Sequence, residues 1–164
     1  MGIGKIKDRF CMKKICFVSS SGGHWEELMC LKDIAEENNS FFVTEKSGQV
    51  TEENKGENTY LVSQINRREK TFFVKFIVLF AKAFKIMLKE NPDVVITTGV
   101  LAAYPFCVVA KLMRKKVIYI ESFARVYKKS LTGKLVYPFA DLFVVQWESL
   151  LELYPKAVYG GKIF

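Results

Sequence analysis

Chemistry in this chain gathers where small and polar residues follow short apolar runs. Ser19-Ser20-Ser21-Gly22-Gly23-His24 comes straight after the run Lys14–Val18 and straight before an amphipathic stretch. Side chains this small let backbone N–H groups approach an anion, and a helix opening there adds its positive end. Ser20, Ser21, Gly22 and Gly23 therefore suit a phosphate or pyrophosphate. The run has neither the G-x-G-x-x-G spacing nor a G-K-[ST] ending, so dinucleotide and P-loop readings are weak. A Gly-Gly turn that only packs a strand on a helix is the alternative. His24, the single histidine of the 164 residues, could bind phosphate when protonated, accept a proton when neutral, or serve structure alone. Gly99 follows Val94–Thr97, and Glu121-Ser122 follows Val117–Ile120. Open α/β sheets bind ligands outside such strand ends. Glu121 could be a partly buried carboxylate of raised pKa or a plain helix-capping one. Arg125, Lys128 and Lys129 could hold an anion or form an ordinary basic loop.

The elements that must position these residues alternate. Strands are expected at 14–18, 41–43, 60–62, 94–97, 116–120 and 142–145. Helices are expected at 25–37, 72–90, near 102–113, at 131–140 and at 148–153. The polar stretch 45–59 reads as an exposed loop. Short apolar strands alternating with helices predict an α/β fold, a Rossmann-like parallel sheet with helices on both faces. The length suits one domain, 1–164, and is too short for two full α/β domains. The four cysteines, Cys11, Cys16, Cys30 and Cys107, form no C-x-x-C pair. With one histidine, no metal site is expected, and the thiols read as small hydrophobes in a reducing cytosol.

The net charge is +8 and it is uneven. Residues 66–91 carry seven basic groups against two acidic, and 111–134 eight against one, while 26–58 carry three against nine. Such a balance favours an anionic partner. No nucleic-acid-binding module is recognisable, so nucleic acid is set aside. Residues 94–110 carry no charge but are short for a membrane span and are interrupted by Gly99 and Pro105. The stretch 72–90 carries 14-Phe enrichment at its densest, with Phe72, Phe73, Phe76, Phe80 and Phe84. Its longest uncharged run, Phe76 to Ala81, is six residues, so it does not span. Lys75, Lys82, Lys85 and Lys89 fall within roughly 80° of one another on a helix, beside a wide apolar face. Such a helix can lie in an anionic membrane interface, or cover a sheet with its lysines as the solvated edge.

The runs Ser20–His24, Pro92–Gly99, Ile120–Val126, Thr132–Leu135 with Tyr137-Pro138, Ala140-Asp141, Val145–Trp147 and Tyr154-Pro155 through Tyr159-Gly160-Gly161 together resemble one family. It is the oligosaccharide biosynthesis family of asparagine-linked glycosylation protein 14, whose bacterial members are capsule and exopolysaccharide subunits. The pattern is also similar to the lipid-linked GlcNAc transferase of peptidoglycan synthesis. The resemblance implies a UDP-sugar glycosyltransferase split over two chains, with this chain similar to the N-terminal, acceptor-side half of a GT-B enzyme. The partner would resemble asparagine-linked glycosylation protein 13 and hold most of the UDP-sugar, which is a substrate; no cofactor is implied. The acceptor would be a polyprenyl-pyrophosphate-linked sugar. The chain would be inactive or weakly active alone and peripheral on the cytoplasmic face of the membrane. Eukaryotic members carry an N-terminal spanning helix. Residues 1–13 cannot span, which makes 72–90 the expected anchor.

By the same resemblance, Ser20–His24, Gly99, Ser122 and Arg125 would surround the acceptor pyrophosphate. Gln146, Trp147, Tyr154 and Tyr159, with a tail from about 147 to 164, would dock the partner. Inverting transfer needs a base within reach of the acceptor hydroxyl; the candidates are His24 and Glu121, with Glu121 or a partner residue favoured and His24 as pyrophosphate ligand. The competing function is a non-catalytic membrane scaffold that recruits and activates the catalytic subunit.

Overall fold

A computed structural model describes residues 12–47, 51–53 and 55–163. Cys11 and part of the 45–59 loop lie outside the described residues. Apolar runs become seven strands: β1 (Lys14–Val18), β2 (Asn39–Glu45), β3 (Thr59–Val62), β4 (Val94–Thr97), β5 (Lys116–Ile120), β6 (Leu142–Val145) and β7 (Val158–Tyr159). All pairs are parallel, in the order β3-β2-β1-β4-β5-β6-β7. Alternation along β1 shows why the sheet is buried on both sides. Cys16 and Val18 enter one core, Ile15 and Phe17 the other.

The larger core lies under α3 (Phe72–Glu90), α4 (Tyr104–Leu112) and α5 (Leu131–Val136). The smaller lies under α1 (Gly23–Met29) and α2 (Lys32–Glu36). Asn91 closes α3 at φ 42°, its N–H bonding Met87 O at 2.8 Å, and Pro92 follows. Strands β1, β4, β5 and β6 and helix α3 fall where the sequence predicts.

Five expectations need correction. The helix expected at 25–37 starts at Gly23 and breaks at Cys30–Leu31, because Leu31 N–H bonds Leu28 O and its backbone leaves the helical region. That break turns Ile34 outward while Ala35 is buried. The helix expected to reach residue 140 ends at Val136, ahead of Pro138, which has no N–H to continue it. The segment 148–153 is only a 3₁₀ turn at Glu148–Leu150. The tail adds an unexpected strand, β7, two residues long. Of the described thiols, Cys16 and Cys107 pack in the core as expected, but Cys30 is exposed.

Candidate functional site

The chain reverses its winding between β1 and β4, which are neighbours although far apart in sequence. A crevice opens outside the carboxyl ends of such a pair. Here the loop after β1 meets the loop after β4 through two reciprocal bonds. The His24 Nδ1 lies 2.8 Å from Thr98 O, and Thr98 Oγ1 donates to His24 O at 2.9 Å. Because Nδ1 faces a carbonyl oxygen it must carry a proton, leaving Nε2 free for chemistry. Gly22 sits at φ 86°, a conformation that excludes a side chain, and nothing stands within 4 Å of where a Cβ would project from Gly22 or Gly23. The glycine rim is therefore open, as a ligand approaching the backbone requires. Ser20 and Ser21 are half-buried beside it.

Gly99, at φ 95°, backs onto the end of β5. A Cβ there would lie 3.0 Å from Tyr119 Oη and 3.7 Å from Glu121 Oε1. Glu121 itself has no exposed surface. Its Oε1 accepts from the Ser122 N–H at 3.1 Å. Its Oε2 accepts from Ser130 Oγ at 3.0 Å, Ser130 N–H at 3.3 Å and Tyr154 Oη at 2.8 Å. Gly133 is obligatory beneath this cluster, since a Cβ would fall 2.3 Å from Glu121 Oε2. Burial, and then the Glu121 charge, push the Tyr154 and Tyr119 hydroxyls well above the ordinary tyrosine range. A base must reach the acceptor hydroxyl, and Glu121 in this arrangement has no atom at the surface from which to do so. Its geometry is that of a keystone joining β5, α5 and the C-terminal segment.

The residues expected to dock a partner divide the same way. Gln146 and Tyr154 are fully buried. Gln146 Nε2 donates to Glu121 O at 3.1 Å, and its Oε1 accepts from Ile163 N–H at 3.1 Å, so it ties down the tail. Neither side chain presents surface to a second chain. Trp147 is half-buried, its Nε1 donating to Phe123 O at 2.8 Å, while Tyr159 is exposed. Ser122 is buried and its hydroxyl donates to Glu27 at 3.3 Å, whereas Arg125 is exposed.

Two acidic residues at this site escaped sequence reasoning. Glu27, buried on α1, accepts from Ser122 Oγ and, at 2.5 Å, from the Phe123 N–H. Its other oxygen stands 3.5 Å from His24 Nδ1. The only sequence signal is its i+3 spacing from His24, which puts both on one face of α1. Glu45, at the end of β2, accepts from Ile65 N–H at 3.0 Å. Burial raises its pKa, against the lowering effects of that bond and of His24. Among the described residues no group of three His, Cys, Asp or Glu could hold a metal ion.

Helix α3 also divides its residues. Phe72, Phe76 and Phe80 are half-buried and form an aromatic ladder that meets Tyr104 of α4 through Phe76 and Phe80, at 5.3–6.3 Å between ring centres. Phe73, 75% exposed, and Phe84 turn outward with Val74, Ile77, Val78 and Leu88. Three lysines are engaged at home: Lys75 with Glu69, Lys82 with Leu61 O, and Lys89 with Tyr60 Oη. Lys85 is exposed and has no partner among the described residues. No described helix is long and apolar enough to cross a membrane.

Residues 15–163 match the family model described as "Oligosaccharide biosynthesis protein Alg14 like". The chain is 41% identical over 90 residues to the UDP-N-acetylglucosamine transferase subunit ALG14 of Yarrowia lipolytica, covering 51% of this chain and 42% of that protein. Its Mus musculus counterpart is 44% identical over 87 residues, 49% of this chain and 40% of that one. The chain thus spans less than half the length of these relatives. Among solved structures, Acinetobacter baumannii MurG superposes with a TM-score of 0.65 at 15% identity, over 84% of this chain and 42% of that one. UDP-N-acetylglucosamine 2-epimerase from Rickettsia bellii superposes with a TM-score of 0.72 at 14% identity, over 93% and 45%. The fold is that of one half of a GT-B protein.

Proposed function

The chain belongs to the Alg14-like family of oligosaccharide biosynthesis proteins, and from that premise we propose that it is the acceptor-binding subunit of a two-chain UDP-sugar transferase. One observation carries the reading: the open Ser20–Gly23 rim is locked, through His24 and Thr98, to the next loop at the switch point of a GT-B-like half. The relatives named as transferase subunits, and the solved neighbours of about twice the matched length, are consistent with a second domain supplied by another chain.

In this reading the rim, Gly99 and Arg125 receive the pyrophosphate of a polyprenyl-linked sugar, and the partner brings the UDP-sugar. The acceptor hydroxyl loses its proton as UDP departs. His24 Nε2 is the base within this chain that has both a lone pair and an opening to the crevice; a partner residue is the competitor. Glu121 acts as a positioning residue, holding the loop that carries Ser122 and Arg125. Reconstituting the chain with its partner and following UDP release tests this. His24→Ala, with pairing intact, lowers turnover by roughly 100-fold or more. Unchanged turnover would leave the chain a scaffold that recruits the catalytic subunit.

The outward face of α3 seats the chain on an anionic membrane, on its cytoplasmic side. Phe73, Ile77, Phe84 and Leu88 enter the acyl boundary, with Lys85, Arg67, Arg68 and Lys70 toward headgroups. Each large apolar side chain transferred contributes about 1.5–3 kcal/mol. Phe73→Glu with Phe84→Glu therefore reduces flotation with anionic vesicles by at least roughly tenfold; undiminished flotation would rule this face out.

A further inference from the structure

The described part of the molecule holds one buried carboxylate oxygen that faces the candidate site with no hydrogen-bond partner, Glu27 Oε2. It stands 3.5 Å from His24 Nδ1. The opposite oxygen is committed to the Ser122 hydroxyl and the Phe123 N–H. Glu27 is 5% exposed, so this carboxylate gives up solvation to stand between the ring and the loop after β5. A surface glutamate on α1 would meet neither.

We infer that Glu27 is a positioning residue for His24: it holds the ring in its Nδ1–H form, with Nε2 toward the crevice, and fixes that ring to the loop carrying Ser122. The chemistry is directional. A carboxylate only accepts, so beside Nδ1 it tolerates N–H and opposes a lone pair. Thr98 O imposes the same demand on the same atom. Free imidazole has no such constraint and exchanges its proton between both nitrogens. Glu27 thus joins the loops after β1 and β5 through one side chain, while Thr98 joins the loops after β1 and β4. When Nε2 takes the proton of the acceptor hydroxyl, the ring gains a positive charge. The Glu27 carboxylate is then the nearest opposite charge, and Glu45 supplies a second negative group toward the same ring. The tautomer claim stands on geometry alone; its kinetic consequence rests on the function proposed above.

A single histidine makes the test direct, since every imidazole resonance belongs to His24. The ¹⁵N spectrum is read at a pH above which the imidazole resonances no longer move. Wild type shows Nδ1 protonated and Nε2 with a lone pair; the reverse assignment would overturn the proposal without any variant. In Glu27→Gln the amide oxygen keeps the Phe123 N–H and Ser122 bonds, which turns its NH₂ toward Nδ1. Donor then faces donor. The ring shifts to a mixture with a substantial Nε2–H share, while the Phe123 amide resonance stays in place as the sign of an intact fold. An unchanged tautomer in Glu27→Gln shows that Thr98 alone holds the ring, and sinks the idea. In the reconstituted pair, Glu27→Gln lowers turnover roughly 10- to 100-fold, the loss typical when the outer partner of a functional histidine is removed. It adds nothing in a His24→Ala background; an additive loss would contradict action through His24. If His24→Ala alone left turnover unchanged, the function would fall while the tautomer result stood.

Discussion

His24 and Glu121 occupy equivalent places, each just past the carboxyl end of a central strand, and they have opposite surroundings. The His24 ring is about one-third exposed, bonded on one nitrogen and open on the other. The Glu121 carboxylate is sealed, with both oxygens bonded to groups drawn from β5, α5 and the C-terminal segment. Place at a strand end makes a residue available to a crevice; what lies above it decides whether it is used there. Gly22 and Gly23 leave space over the first site, whereas Tyr154 and Ser130 fill the space over the second.

If Glu121 is a keystone, breaking it should damage stability before anything else. Glu121→Ala removes the acceptor of the buried Tyr154 hydroxyl and Ser130 N–H, while the Ser130 hydroxyl still has Tyr119 Oη at 3.1 Å. Two orphaned neutral donors at about 1–3 kcal/mol each cost about 2–6 kcal/mol, a fall of roughly 4–24 °C in Tm for a chain of this size. Gly133→Ala forces a methyl into the same cluster and costs about 1–3 kcal/mol or somewhat more. His24→Ala, which loses one hydrogen bond to Thr98, lowers Tm by only about 2–4 °C. Thermal unfolding of the three variants ranks the two sites; equal losses would erase the distinction.

A smaller effect appears in alkali. Burial holds the Tyr119, Tyr154 and Cys16 protons well above ordinary values and pushes the Cys107 thiol up to about 12. Below about pH 8 these groups are neutral in both folded and unfolded chains, so their contribution is complete. As pH rises past 9 and then 10, the unfolded chain releases protons that the folded chain keeps, and stability falls. Unfolding free energy measured from pH 8 to 11 declines, and Tyr154→Phe shallows the slope. A flat profile would mean the network is wetter than its geometry.

Much of the fold is legible in the sequence because it is local. Four apolar runs fix β1, β4, β5 and β6, and the 3.6-residue pattern fixes α3 to both ends. The break at Leu31 escapes because ordinary helix formers surround it, whereas the end at Val136 is marked in the sequence by Pro138. The meeting of Ser20–His24 with Gly99 is foreseeable from strand ends and parallel winding. Glu27 is not, since it sits among nine acidic residues of 26–58 and nothing local marks it as inward. Nor is the sealing of Glu121, which depends on Ser130, Gly133 and Tyr154 arriving from up to 33 positions away. Tyr154 and Gln146 read as partner contacts for the same reason: their use inside the chain is visible only in three dimensions.

The most direct test compares turnover of the reconstituted pair for His24→Ala and for Tyr154→Phe at matched folded fraction. The account predicts a loss of roughly 100-fold or more for His24→Ala. Tyr154→Phe stays within a few-fold of wild type, as suits one neutral hydrogen bond of about 1 kcal/mol. Full turnover in His24→Ala would contradict it and return the chain to a scaffold's role.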